Sequence, residues 1–150
     1  MAYNWNSTLE TGHPLIDLQH KELINAVNGL LTACQQGQGA GRLGPTLNYL
    51  TSYTQKHFAD EEALQQKSNY PDFPNHRKYH EDMVKVIADL SAELKQTGPT
   101  ARVTQKIIRN VGDAFVNHIL QQDAKVAAHL KKALAGPQQP SDTDNYDLPD

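Results

Sequence analysis

Ile16-Asp17-Leu18-Gln19-His20-Lys21-Glu22-Leu23-Ile24-Asn25-Ala26-Val27-Asn28-Gly29-Leu30-Leu31-Thr32-Ala33-Cys34 is the stretch that decides the fold. Ile16, His20, Leu23, Ile24, Val27, Leu30, Leu31 and Cys34 recur at three- and four-residue spacings, which is one face of a helix. Gly37, Gly39 and Gly41 are expected to end it. Three further stretches repeat the pattern. Leu47, Leu50, Thr54, His57, Glu61 and Leu64 follow Pro45, expected at the helix start. His76, His80, Met83, Val84, Ile87, Leu90 and Leu94 begin near Pro74, a good first-turn residue, and stop at Gly98-Pro99. Val103, Ile107, Val111, Ala114, His118, Val126 and Leu130 run on toward Gly136. No stretch shows sustained period-two alternation. Four amphipathic helices with mostly short connections predict an all-α, up-down-up-down four-helix bundle. The residues before Asp17, with Trp5 and Leu9 as apolar anchors, are expected to form an N-terminal arm packed across it.

Composition narrows the function classes. A chain of 150 residues is one domain of ordinary size. It is 38% hydrophobic with a mean hydropathy of -0.64, and no apolar run approaches the roughly 20 residues that span a bilayer. No signal peptide is visible at Met1-Ala2-Tyr3-Asn4-Trp5-Asn6. One cysteine, Cys34, excludes an internal disulfide and a cysteine-based cluster. Together these point to a cytoplasmic protein with no membrane partner. Net charge is -3 with pI near 6.1, unlike the basic balance of a nucleic-acid binder. Residues 137–150 carry three prolines and four aspartates and no basic residue. That composition predicts a disordered acidic tail or linker, with the domain in residues 1–136 close to neutral.

The seven histidines are the unusual count. Each helical stripe carries one where leucine would ordinarily sit: His20, His57, His76 with His80, and His118. Burying five imidazoles without partners would cost on the order of several kcal/mol each. A shared metal is the economical partner. His57 and Glu61 are one turn apart on one face, as are His76 and His80. His118 and Asp123 are five residues apart, about 140° round an ideal helix. Either a π-type distortion or a side chain reaching in from the flank is then required of Asp123. A zinc peptidase needs Glu directly after the first His of its pair, and Arg77 stands there. A ferritin-like oxidase needs carboxylate-x-x-His on two helices, and only Asp17-Leu18-Gln19-His20 qualifies. A c-type haem needs two cysteines.

The chain resembles the hemerythrins, specifically bacteriohemerythrin domains. The matching pieces are Ile16-Asp17-Leu18-Gln19-His20-Lys21-Glu22-Leu23, His57-Phe58-Ala59-Asp60-Glu61-Glu62, Tyr70-Pro71 with His76-Arg77-Lys78-Tyr79-His80, and Asn117-His118-Ile119 with Asp123. The resemblance implies a non-haem di-iron centre, two iron ions with an oxo or hydroxo bridge, that binds dioxygen reversibly. Carried over residue by residue, His76, His80 and His118 would hold one iron. His20 and His57 would hold the other, leaving it an open position. Glu61 and Asp123 would bridge both. Use as an oxygen carrier, as an oxygen or redox sensor with a signalling output domain, or as a di-iron enzyme such as a peroxidase all remain open at this point.

The remaining marked residues have plainer expectations. Asp17 is either a helix N-cap or an acceptor for His20. Phe58 is expected beside the metal site, and Glu62 on the surface. His13 reads as a loop residue, His129 as a solvent-facing residue favouring the helix dipole, and Cys34 as a small core filler. One departure stands out. The family usually has W-L-x-N-H-I before the last ligand, whereas this chain has Ala114-Phe115-Val116-Asn117-His118-Ile119. Ala114 replaces the Trp, and Val116 sits where a longer aliphatic is common. Either a neighbour such as Phe115 compensates, or a cavity runs toward the open iron and speeds its oxidation, which suits a sensor.

Overall fold

The computed structural model describes residues 3–36 and 40–135. Four helices fill them: α1 (Pro14–Gln35), α2 (Ala40–Lys67), α3 (Phe73–Thr97) and α4, a continuous run over residues 101–135. No strand occurs among the described residues. Gly136 and the acidic tail lie outside them, as do Gly37 and Gly39. Gly41 falls within α2 rather than ending α1. Pro45 is likewise inside α2, not at its start. Its missing N–H removes one ladder bond close to the helix N-terminus, where the loss is small.

Each helix boundary has a chemical cause. His13 caps α1 by accepting from the Ile16 N–H through Nδ1, and Pro14 occupies the first turn. α2 closes in a Schellman motif. Asn69 takes the left-handed conformation at φ 56°, Tyr70 N–H donates to Gln65 C=O at 2.9 Å, and Asn69 N–H donates to Gln66 C=O at 3.2 Å. Gly98, at φ 78°, returns its N–H to Leu94 C=O and ends α3. Thr100 caps α4 by accepting from Val103 N–H.

Helices of this length joined by short connections lie antiparallel. The early part of α1, the late part of α2, the early part of α3 and the late part of α4 therefore share one end. At the other end Leu30, Leu31, Leu50, Ile87, Val103 and Ile107 form the main apolar core. Each such side chain contributes roughly 1.5–3 kcal/mol on burial. Ile16, Val126 and Leu130 make a smaller apolar layer, with Leu64 and Tyr70 against it. The buried polar side chains sit between these two layers.

The N-terminal arm packs as expected. Its 3-10 turn Ser7–Leu9 buries Leu9 against Ile24 and Ile119, with Tyr3, Trp5 and Val116 alongside. Tyr3 exchanges two 2.8 Å bonds with the Asn28 amide, and its hydroxyl lies 3.1 Å from the Ile108 carbonyl and 2.7 Å from the Asp113 carboxylate. Asp17 has neither expected role. Its carboxylate accepts from Thr11 N–H, Thr11 Oγ1 and Gly12 N–H at 2.8, 2.7 and 3.2 Å. It fastens the turn that leads the arm into α1, where Gly12 has φ 91°. The helix cap is His13, and His20 Nδ1 has no hydrogen-bond partner.

Candidate metal centre

α4 is not a uniform helix. It changes to π-helix at Ile108–Asp113, returns to α over Ala114–His118, is π again at Ile119–Asp123, and ends as α over Ala124–Ala135. The second π segment is the first of the two arrangements that the 118/123 spacing left open. A π turn holds about one extra residue, so Asp123 comes round to the face of His118. Their Nε2 and Oδ1 atoms are 2.9 Å apart.

His20, His57, Glu61, His76, His80, His118 and Asp123 are all buried and converge in one place. They form two unequal groups that share both carboxylates. Glu61 Oε1 lies 2.6 Å from His76 Nε2 and 3.3 Å from His80 Nε2. Asp123 Oδ1 lies 3.1 Å from His76 Nε2 and 2.9 Å from His118 Nε2. The other oxygens face the other way. Glu61 Oε2 is 3.5 Å from His57 Nε2 and 3.9 Å from His20 Nε2, and Asp123 Oδ2 is 2.9 Å from His20 Nε2. Between them the two carboxylates thus turn one oxygen each toward His76, His80 and His118 and the other toward His20 and His57.

These contacts suit a metal better than they suit each other. His20 Nε2 and His80 Nε2 are close to carboxylate oxygens, yet neither makes a hydrogen bond of acceptable angle, and Glu61 Oε2 and Asp123 Oδ1 are equally unpartnered. His76 Nε2 and His118 Nε2 face each other at 3.1 Å, where a proton can serve only one of them. A buried polar atom left unpaired costs about 1–3 kcal/mol. Metal ions lying between the groups would satisfy these atoms together, and imidazole with carboxylate is a donor set that iron accepts.

Electrostatics follows from the burial. Burial holds the His57 imidazole down at about 4. Burial also works against charge on His76, but Asp123 and Glu61 outweigh it and lift that imidazole to about 9. Burial and mutual repulsion would raise Glu61 and Asp123; the surrounding imidazoles overcome both and hold the two carboxyls below the usual range.

The imidazoles are also held from behind. His57 Nδ1 is 2.8 Å from Gln19 Oε1, and Gln19 Nε2 donates to Asp60 at 2.7 Å. His80 Nδ1 is 2.9 Å from Glu62 Oε2. With the proton on Nδ1 in each ring, Nε2 presents its lone pair to the cluster. Glu62 is therefore not a plain surface residue. Phe58 is stacked on His80 with centroids 3.8 Å apart and planes within 6°. Tyr79 stacks on His118 at 4.0 Å and 2°. Gln19 and Tyr79 were not singled out from the sequence, and Glu62 was expected on the surface.

Ala114 does leave space. A cleft of about 480 Å³ between α3 and α4 is lined by Tyr79, Ala114, His76 and His118, with Asn117 and Gln121 at its sides. It meets the three-imidazole group, not the two-imidazole group toward which a cavity was expected. Phe115 does not fill it; that ring is buried in the main core, edge-on to Phe58. Tyr79 does the covering. Val116 packs with the arm. His129 also departs from expectation: it is half-buried, with Nε2 2.8 Å from the Ser68 carbonyl and its ring edge-on to Tyr70. Its Nε2–H donates to the last turn of α2. Cys34 is buried in the main core.

Comparisons with known proteins agree with this geometry. The sequence pattern of the Hemerythrin HHE cation binding domain matches residues 11–130. A bacteriohemerythrin of Methylococcus capsulatus is 37% identical over 107 residues, 71% of this chain and 79% of its own. A bacteriohemerythrin of Pseudomonas paraeruginosa is 34% identical over 139 residues, covering 87% and 83%. A myohemerythrin of Theromyzon tessulatum is 28% identical over 130 residues, covering 85% and 93%. The chain belongs to the hemerythrin family of non-haem iron proteins, whose cofactor is a di-iron centre.

Proposed function

We propose that this chain binds dioxygen reversibly at its di-iron centre and serves oxygen or redox sensing, or oxygen carriage. In this reading His76, His80 and His118 would hold one iron, His20 and His57 would hold the other, and Glu61 and Asp123, with an oxo or hydroxo group, would serve both. The observation that carries it is the inequality of the two groups. Three imidazoles face one side of the shared carboxylates and two face the other, so one iron would have one protein ligand fewer than its neighbour. The di-iron pair supplies the electrons that dioxygen takes up on binding and gives back on release.

The chain's own residues set the conditions. The ligand side chains are buried between two apolar layers, which keeps bulk water from the open position. Gln19 and Glu62 fix two imidazoles in the neutral, metal-facing tautomer. The cleft at Ala114 opens on the three-histidine side, away from the open position, which disfavours a peroxidase with a bulky substrate. Residues 1–136 are the functional body in this proposal, and residues 137–150 are an acidic tail or linker toward a separate or fused output partner. No described helix is long and apolar enough to cross a membrane.

Absorption spectra after anaerobic reduction and re-oxygenation test the reading. A charge-transfer band that appears with oxygen and vanishes on its removal, through repeated cycles, is expected. Immediate, irreversible conversion to the diferric spectrum would contradict reversible binding.

A further inference from the structure

The five α residues Ala114–His118 stand between two π segments of α4. His118, at the end of that segment, has its Nε2 2.9 Å from Asp123 Oδ1. Its Nδ1 is buried and has no hydrogen-bond partner. His57 and His80 are held from behind by Gln19 and Glu62; His118 has no such polar support.

Tyr79 supplies a different kind of support. Its ring lies 4.0 Å from the His118 ring and parallel to within 2°. Its hydroxyl donates to the Ala114 carbonyl at 3.2 Å. One side chain of α3 thus touches both the imidazole plane and the backbone at the opposite end of that five-residue segment. Tyr79, His118 and Ala114 all line the cleft between α3 and α4.

We infer that Tyr79 is the positioning residue for His118: its ring fixes the imidazole plane, and its hydroxyl anchors the backbone that carries it. This rests on the proposed ligand role of His118. Loosening Tyr79 lets the ring rotate and the metal lose a well-aimed donor, an effect of the size seen when outer partners of a ligand are removed, roughly 10- to 100-fold in affinity.

Cobalt(II) titration of the metal-free protein, followed by d–d absorption and chelator competition, tests this without any oxygen chemistry. Wild type, Tyr79→Phe, Tyr79→Leu and His118→Ala are compared. Tyr79→Leu is expected to weaken the second cobalt by roughly 10- to 100-fold and to shift its absorption, while the metal-free protein melts within a few degrees of wild type. Tyr79→Phe keeps the ring and is expected to recover most of the affinity and the wild-type band. Wild-type affinity and absorption in Tyr79→Leu, with a metal lost in His118→Ala, would overturn the inference and leave the ligand role standing. Two tightly held cobalt ions in His118→Ala would remove the ligand role and the inference with it. A Tyr79→Phe protein as weak as Tyr79→Leu would overturn the part given to the ring. If Tyr79→Leu does not fold, Tyr79→Met takes its place. Failure of both to fold would mean that Tyr79 serves folding alone.

Discussion

Among the described residues, Glu61 and Asp123 are the carboxylates that face both imidazole groups, so in the proposed centre they couple the two metal positions. Glu61→Gln or Asp123→Asn keeps side-chain volume and removes one negative charge from between the metals. Either is expected to reduce metal content from two ions per chain to one or none, read by elemental analysis. Glu62→Ala removes only the acceptor behind His80. Its metal affinity is expected to fall about 10- to 100-fold, with little change in the melting of the metal-free protein. Proton release gives a third test. His76 is lifted to about 9 in the metal-free protein, so it carries a proton at neutral pH. Metal must displace that proton, and affinity is expected to rise with pH until about 9 and then level off. Calorimetry in buffers of different ionisation enthalpy would count the released proton. The five imidazoles of the cluster were legible because an imidazole in an apolar stripe is conspicuous, and Glu61 and Asp123 through their spacing from His57 and His118. Glu62 and Gln19 were not, because they sit beside the stripe, where polar residues are ordinary. Only the packing of α1 and α3 against α2 brings them to an imidazole.

At the scale of elements, α4 carries the main irregularity. The 118/123 spacing required either a π turn or a side chain reaching in from the flank, and Ile119–Asp123 is a π turn. The turn at Ile108–Asp113 had no such signal. There the arm is involved: a methyl group built on Gly112 would land on the Tyr3 ring. Gly112→Ala is expected to push Tyr3 out, break its bonds to Ile108 and Asp113, and destabilise the fold by about 1–3 kcal/mol, measured by urea unfolding. The π turn at the site makes its own prediction. A π turn is an α-helix with one residue inserted, so deleting exposed Gln121 should restore regular helix with both flanks in register. Metal content should stay at two. Inserting one alanine there instead should rotate Asp123 by about 100° and lose metal. Equal metal content in both variants would contradict this account of the turn. Asp17 and His129 belong to this scale as well. Each fastens a connection, the arm turn or the end of α2, and neither role is visible without the neighbouring element.

The whole molecule is a bundle with a polar layer set between two apolar ones. Antiparallel packing places the early halves of α1 and α3 beside the late halves of α2 and α4, which brings seven ligand-type side chains to one level. The bundle was readable from apolar periodicity, and the metal chemistry from the histidines within it. The direction of the Ala114 cleft was not, because it depends on where Tyr79 of α3 lies. The central claim concerns two metal positions of unequal ligation. Anomalous diffraction at the iron edge from crystals of the iron-loaded protein measures it most directly. The account predicts two peaks, one against His76, His80 and His118 and the other against His20 and His57, with Glu61 and Asp123 touching both. A single peak, or two peaks that do not share those carboxylates, would contradict it.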